Sequence, residues 1–243
     1  MKNNNKFRLD VWGAITLGTI ALYALFLLYP MAYLIRQSVL DPDTGGFTLA
    51  YFTKFFSKSY YFDTLINSFK VSITATVLSI AIGTPLAYLF TIFKIKGKSV
   101  LNILIVVASM SAPFIGAYSW ILLLGRSGVI TAFFKNLGIA IPDIYGFGGI
   151  VLVMTLQLFP LVFLYAKGAL KNIDNSLIEA AENLGCSGIA CFLKVVVPLI
   201  MPTLLAAALL VFMRSFADFG TPMLIGEGYM VLPVLVYNEY MSE

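Results

Sequence analysis

The chain has 243 residues, of which 60% are hydrophobic and only 12% charged, with 16 Lys and Arg against 12 Asp and Glu and a mean hydropathy of +0.91. A soluble domain carries about 25% charged residues, so this composition excludes disorder, nucleic-acid binding and an ordinary cytosolic enzyme, and points to an integral membrane protein. With no histidine and only Cys186 and Cys191 as thiols, histidine-based catalysis, histidine metal sites and a disulfide framework are excluded too.

Residues 1–10, with Lys2, Lys6 and Arg8, predict a cytoplasmic N-terminal tail. The charge-free stretch that follows is longer than the 7–15 apolar residues of a signal peptide and no small-x-small site closes it, so 11–35 is expected to be an uncleaved first transmembrane helix. Residues 36–63 then form an external loop. Further charge-free stretches lie between Lys70 and Lys94, Lys98 and Arg126, Asp143 and Lys167, and Lys194 and Arg214. At 1.5 Å per residue, about 20 apolar residues cross a hydrocarbon core of about 30 Å, which predicts spans over 64–93, 99–124, 146–166 and 195–217. The run Val100–Val107 does not alternate apolar with polar, which argues against a β-barrel. The expected fold is an all-α membrane protein, a polytopic bundle of about five spans. Placing the N-terminus in the cytoplasm puts nine Lys and Arg inside, with Lys94, Lys96 and Lys98 in one short loop, and five outside, leaving Lys70 and Arg214 at membrane depth.

The cytoplasmic loop 167–194 carries more than a connection needs. Asp174 or Asn175 can cap a helix; Leu177, Ile178, Ala181 and Leu184 make an apolar stripe, Glu179, Glu182 and Asn183 occupy other faces, and Gly185 suits the C-terminal end. A helix lying on an anionic membrane surface favours Lys and Arg on its polar side. Glutamates fit a protein partner better.

Glu179-Ala180-Ala181, three residues, Gly185, nine residues, Val195, one residue and Val197-Pro198 resemble the EAA signature of binding-protein-dependent ABC importer permeases of type I. Val195 and Val197 stand where the signature has Ile and Leu. Asn67-Ser68 and Gly83-Thr84-Pro85-Leu86-Ala87-Tyr88 resemble the family's core entry helix, and Pro198 and Pro202 open the span after the signature as in such permeases. Pro113–Trp120, Ser215–Pro222 and Leu224-Ile225-Gly226 are similar to the subgroup that moves ferric iron, phosphonates, polyamines or thiamine. The resemblance implies a permease core over 64–217 and a coupling loop gripped by a cytoplasmic ATPase dimer through Glu179, Ala180, Ala181, Glu182, Gly185 and Pro198. It also implies a second permease copy or half, an external solute-binding protein and a place in the inner membrane. Its substrate would be ferric iron or a related small solute. Family members have one more helix after the region of Tyr237–Tyr240, so the external segment 218–243 reads as truncated.

Arg214 and Asp218 are four apart and are expected to share a helix face near the outer end of the fifth span. They read equally as a pair lining the translocation path and as snorkelling of Arg214 to the headgroups. Gly97-Lys98-Ser99 has the tail of a phosphate-binding P-loop, but Ile92 stands where the leading glycine belongs; Gly146-Phe147-Gly148 fails as a dinucleotide fingerprint at Val151. No nucleotide site and no cofactor are expected, and ATP hydrolysis falls to another chain. An ion- or proton-coupled secondary transporter is the alternative, but it needs ionisable groups near the bilayer midplane, and the middles of these spans carry none.

Overall fold

The structure, a computed structural model, describes residues 11–41, 44–93, 95–110, 112–139, 141–186 and 188–242. The expected tail 1–10, Lys94 and the side chains of Asn175 and Glu182 lie outside what it describes. The chain divides into two units, between Phe62 and Asp63.

The first unit holds α1 (Val11–Ser38), an antiparallel bridge between Leu40 and Phe47, and α2 (Ala50–Ser57). A π-helical turn, Ala24–Leu28, interrupts α1 two residues before Pro30. A proline ring clashes with the carbonyl four residues back, and a wider turn there relieves the clash.

The division falls within α3 (Ser59–Ile92). The second unit continues with α4 (Lys98–Ser109), α5 (Pro113–Leu124), α6 (Val129–Asn136), α7 (Phe147–Lys171), α8 (Asn175–Asn183), α9 (Gly188–Phe216), α10 (Gly220–Ile225) and α11 (Leu232–Ser242). Five stretches are long and apolar enough to cross a membrane: α1, α3, Pro113–Asn136, α7 and α9. The fold is therefore the expected all-α bundle. One span differs from expectation: the stretch 99–124 is two helices, α4 and α5. Pro113 suits the break. It has no N–H to extend a helix, it holds Ala112 extended (φ −68°, ψ 143°), and it sits in the first turn of α5, where a missing N–H is harmless.

Helix α7 is the hub of the second unit, packing against α9, α4, α5 and α10. Around its first half Val71, Ala117, Ile150, Met154, Ile225 and Val234 form one buried cluster; around its second half Ala87, Phe90, Val162, Phe163, Ile200 and Val211 form another; Leu158 touches both. Helix α3 crosses α7 at Gly83, where a β-carbon would lie 2.9 Å from the Phe159 carbonyl oxygen and 2.9 Å from Val162 Cβ. Small residues permit such close approach, and without a hydrophobic drive between helices in lipid, tight packing supplies the cohesion.

Candidate functional site

Helix α8 follows α7 after a three-residue turn. Asp174 caps it: its Oδ1 accepts from the Ser176 N–H at 2.9 Å, satisfying one of the free donors of the first turn. This bond holds the Asp174 carboxyl below the usual carboxylate range. At the other end Gly185 adopts φ +85°, and the Cys186 N–H reaches back to the Ala181 carbonyl at 3.0 Å. This is a Schellman ending, which a β-carbon at Gly185 would strain. The expected apolar stripe is divided between two environments. Ile178 packs on the second core cluster, whereas Leu177 and Leu184 face outward, Leu184 with 89% of its surface free. Glu179 and Ala180 share that exposed side. The result is a short helix fixed along one edge and bare along the other.

Pro198, the last signature position, is exposed, and a π-helical turn, Phe192–Val196, stands two residues before it. Pro30 follows the turn in α1 at the same interval. Val195 lies inside the wide turn, and Val196 beside it is fully buried.

Arg214 and Asp218 do line one cavity, of about 490 Å³, with Ser109, Pro113, Gln157 and Phe219 among its walls. They do not share a helix face as expected. Helix α9 ends at Phe216, and Asp218 turns to cap α10: its carboxylate accepts from the Gly220 N–H at 2.9 Å and from the Thr221 hydroxyl at 2.6 Å. Arg214 is exposed, and no ion pair joins it to a described carboxylate. They lie at the end of the fifth span, as expected, and that end is set back along α7. Ser215 donates to Met154 Sδ at 3.1 Å, so α9 stops seven residues, about 10 Å, along α7 from Phe147. The cavity opens there, beside Gln157 and Leu158 near the middle of α7 and beside the break between α4 and α5. Irregular backbone at membrane depth is tolerated where it is buried in protein or lines such a cavity.

Gln157 was not singled out from the sequence, yet its Nε2 is buried beside this cavity with no hydrogen-bond partner among the described residues. The signal was available: it is the sole amide side chain between Asp143 and Lys167. Asn67 and Ser68 hold the segment before α11. Asn67 Nδ2 donates to the Met230 carbonyl at 3.1 Å, and the Leu232 N–H donates to Ser68 Oγ at 2.7 Å. Arg126 ties three loops together, bonding Asp143 at 3.0 Å and Glu227 at 2.9 Å and lying over the Tyr145 ring. Among the described residues no group of histidine, cysteine and acidic side chains could hold a metal ion.

Residues 46–242 match the family described as the binding-protein-dependent transport system inner membrane component. The ferric transport system permease protein FbpB of Actinobacillus pleuropneumoniae is 28% identical over 240 residues, 98% of this chain and 34% of that protein. The spermidine/putrescine transport system permease protein PotB of Haemophilus influenzae is 29% identical over 249 residues, 99% of this chain and 84% of that protein. The chain spans about a third of the length of the ferric relatives it matches. In structure, a chain of a bacterial alginate ABC transporter, crystallised in complex with an alginate pentasaccharide-bound periplasmic protein, superposes with a TM-score of 0.78 at 17% identity, covering 97% of this chain and 84% of that one. A match over most of the chain, together with the all-helical bundle these transporters share, places the protein in the family of binding-protein-dependent transport system inner membrane components.

Proposed function

We propose that the chain is a permease subunit of an ATP-driven ABC importer. It passes a solute through the membrane and performs no chemistry of its own. The observation that carries this reading is α8: a signature-bearing helix capped by Asp174, closed at Gly185, anchored through Ile178 and bare along Leu177, Ala180 and Leu184. A cytoplasmic ATPase dimer grips α8 through Glu179, Ala180, Ala181, Glu182 and Gly185, and Pro198 with the wide turn before it joins the handle to α9. The small alanines allow close approach and Glu179 meets a basic group of the partner. In this reading the N-terminus is cytoplasmic, 36–63 and 218–243 are external, and 64–217 is the transporting core. A second permease copy or half completes the path, and an external solute-binding protein delivers the cargo.

The cavity beside Gln157, Arg214 and Asp218 is the stretch of that path belonging to this chain. Arg214 brings to it a guanidinium that no described carboxylate pairs with, while the Asp218 carboxylate is occupied by α10. A polyamine meets repulsion there; ferric iron carried with anionic ligands, or another small anion-bearing solute, does not. The family match gives the secondary-transporter alternative no support.

The test is co-purification in detergent with candidate ATPases of the source organism, comparing the parent with Glu179→Arg and Gly185→Leu. Loss of the ATPase from variants that still insert normally is the expected result. Equal retention by both variants, or no ATPase with the parent, overturns the importer reading.

A further inference from the structure

The Lys-rich end of the bundle holds a second cavity, of about 460 Å³, which transport does not explain. Three elements build it. The end of α3 supplies Phe90 and Thr91, the start of α4 supplies Lys98, Ser99, Asn102 and Ile103, and the end of α7 supplies Lys167 and Lys171. Three ammonium groups thus converge on one hollow, no described acidic side chain lines it, and no described carboxylate makes an ion pair with any of the three. Lys167 is held in place, donating to Asn102 Oδ1 and lying 5.3 Å from the Phe163 ring centroid. Gly97, at φ +78°, turns the chain so that Lys98 and Ser99 open α4, whose first-turn N–H groups add partial positive charge. The Gly-Lys-Ser triplet that fails as a nucleotide motif therefore sits at a basic hollow all the same.

We propose that this hollow binds the phosphate headgroup of an anionic phospholipid. Concentrated positive charge that no described carboxylate compensates calls for an anion, and basic pockets between transmembrane helices are suited to acidic headgroups. What selects lipid over free phosphate is the apolar surface leading away from the lysines: Phe90 lines the hollow, and Val100, Ile103, Leu104 and Val107 are exposed along α4. A headgroup on Lys98, Lys167 and Lys171 can lay its acyl chains along that face. Such a site needs only the membrane spans, whatever is transported and whichever ATPase docks. The site lies at the end of α7 from which α8 departs, so an occupied hollow would brace the root of the coupling helix.

Native mass spectrometry of the full chain in neutral detergent tests it, with phosphatidylglycerol or phosphatidylcholine added at equal mole fraction. Phosphatidylglycerol is expected to bind in preference, and the preference to fall roughly fivefold per lysine removed in Lys98→Gln/Lys171→Gln. That double variant keeps the Lys167–Asn102 bond, and unchanged phosphatidylcholine binding shows that it is folded. Lys70→Gln, a lysine elsewhere on α3, should keep the full preference. Equal binding of the two lipids by the parent, full preference in the double variant, or an equal loss with Lys70→Gln overturns the site. If inorganic phosphate in lipid-free detergent raises thermal stability as much as phosphatidylglycerol does, the lipid assignment is overturned in favour of free phosphate.

Discussion

Replacing Gly83 with alanine places a methyl group against the backbone of α7. The new carbon would sit 2.9 Å from the Phe159 carbonyl oxygen, 2.9 Å from Val162 Cβ and 3.0 Å from the Phe163 nitrogen. Two of these are main-chain atoms of a helix and cannot rotate aside. Restoring an ordinary contact of about 3.4 Å means parting α3 from α7 by about 0.5 Å. That gap opens beside Ala87, Val162, Phe163 and Ala166, each buried to 0% exposure. Overpacking of this kind costs about 1–3 kcal/mol, against a gain of about 1 kcal/mol for alanine over glycine in a helix. The net expectation is a loss of about 1 kcal/mol, or a midpoint lower by about 2–4 °C for a chain of this size. Gly83→Val should lose more. Thermal unfolding of the purified chain, followed by far-ultraviolet circular dichroism in detergent, reads the difference. Gly168→Ala is the control: it is helical, on α7, and its β-carbon meets nothing within 4 Å, so its midpoint should hold or rise. If Gly83→Ala is as stable as Gly168→Ala, the close crossing of α3 and α7 is not what holds this interface.

Three further outcomes are expected. Asp174→Ala should speed amide exchange at Ser176 and Leu177 several-fold while leaving α7 protected. The parent's cap, whose carboxyl titrates below its ordinary value, should be complete above about pH 4 and fade only as pH falls through the depressed value. Gln157→Leu removes a buried amide donor that has no partner, so thermal stability should hold or rise while ATP-driven solute uptake by cells falls; a fall in stability with uptake intact would make Gln157 structural. Arg126→Met should free the loops around Asp143 and Glu227, seen as faster proteolysis there, and the parent should approach the variant at high salt, since these pairs are exposed and screened.

Four of the five apolar spans were legible because avoidance of charge is a signal that adds along the chain and needs no knowledge of what packs where. The ends of α8 were legible for a related reason. A cap acts over three residues, and a glycine that must take a positive φ acts at one position, so the sequence narrows the cap to Asp174 or Asn175, of which the structure uses Asp174, and marks Gly185 as the end. Reasoning from single segments fails where the deciding atom belongs to another segment. Pro85, Pro113 and Pro160 look alike in an apolar stretch, yet Pro85 and Pro160 stay inside α3 and α7 while Pro113 starts α5. Nothing beside Pro113 in the chain states that Gly220 packs against it, where a β-carbon would lie 3.1 Å from Pro113 Cβ. Asn67 and Ser68 carry no local sign of partners 163 and 164 residues away.

The same distinction explains why Arg214 and Asp218 line one cavity without sharing a helix face as expected. Spacing of four makes neighbours only while the helix continues, and α9 ends at Phe216, between them. Its end lies level with the first half of α7, well inside the bundle. A helix that stops within a membrane must satisfy its last carbonyls and the turn that follows without help from water. Here Asp218 does part of that, drawing the N–H of Gly220 and the hydroxyl of Thr221 onto its carboxylate. An acid spent on closing the chain is lost to an ion pair, and the arginine four residues earlier is left facing the cavity with its charge available. The break in the helix, the cap and a guanidinium that no described carboxylate pairs with are therefore one arrangement, and it is the termination of α9 that gives an apolar span a polar cavity wall.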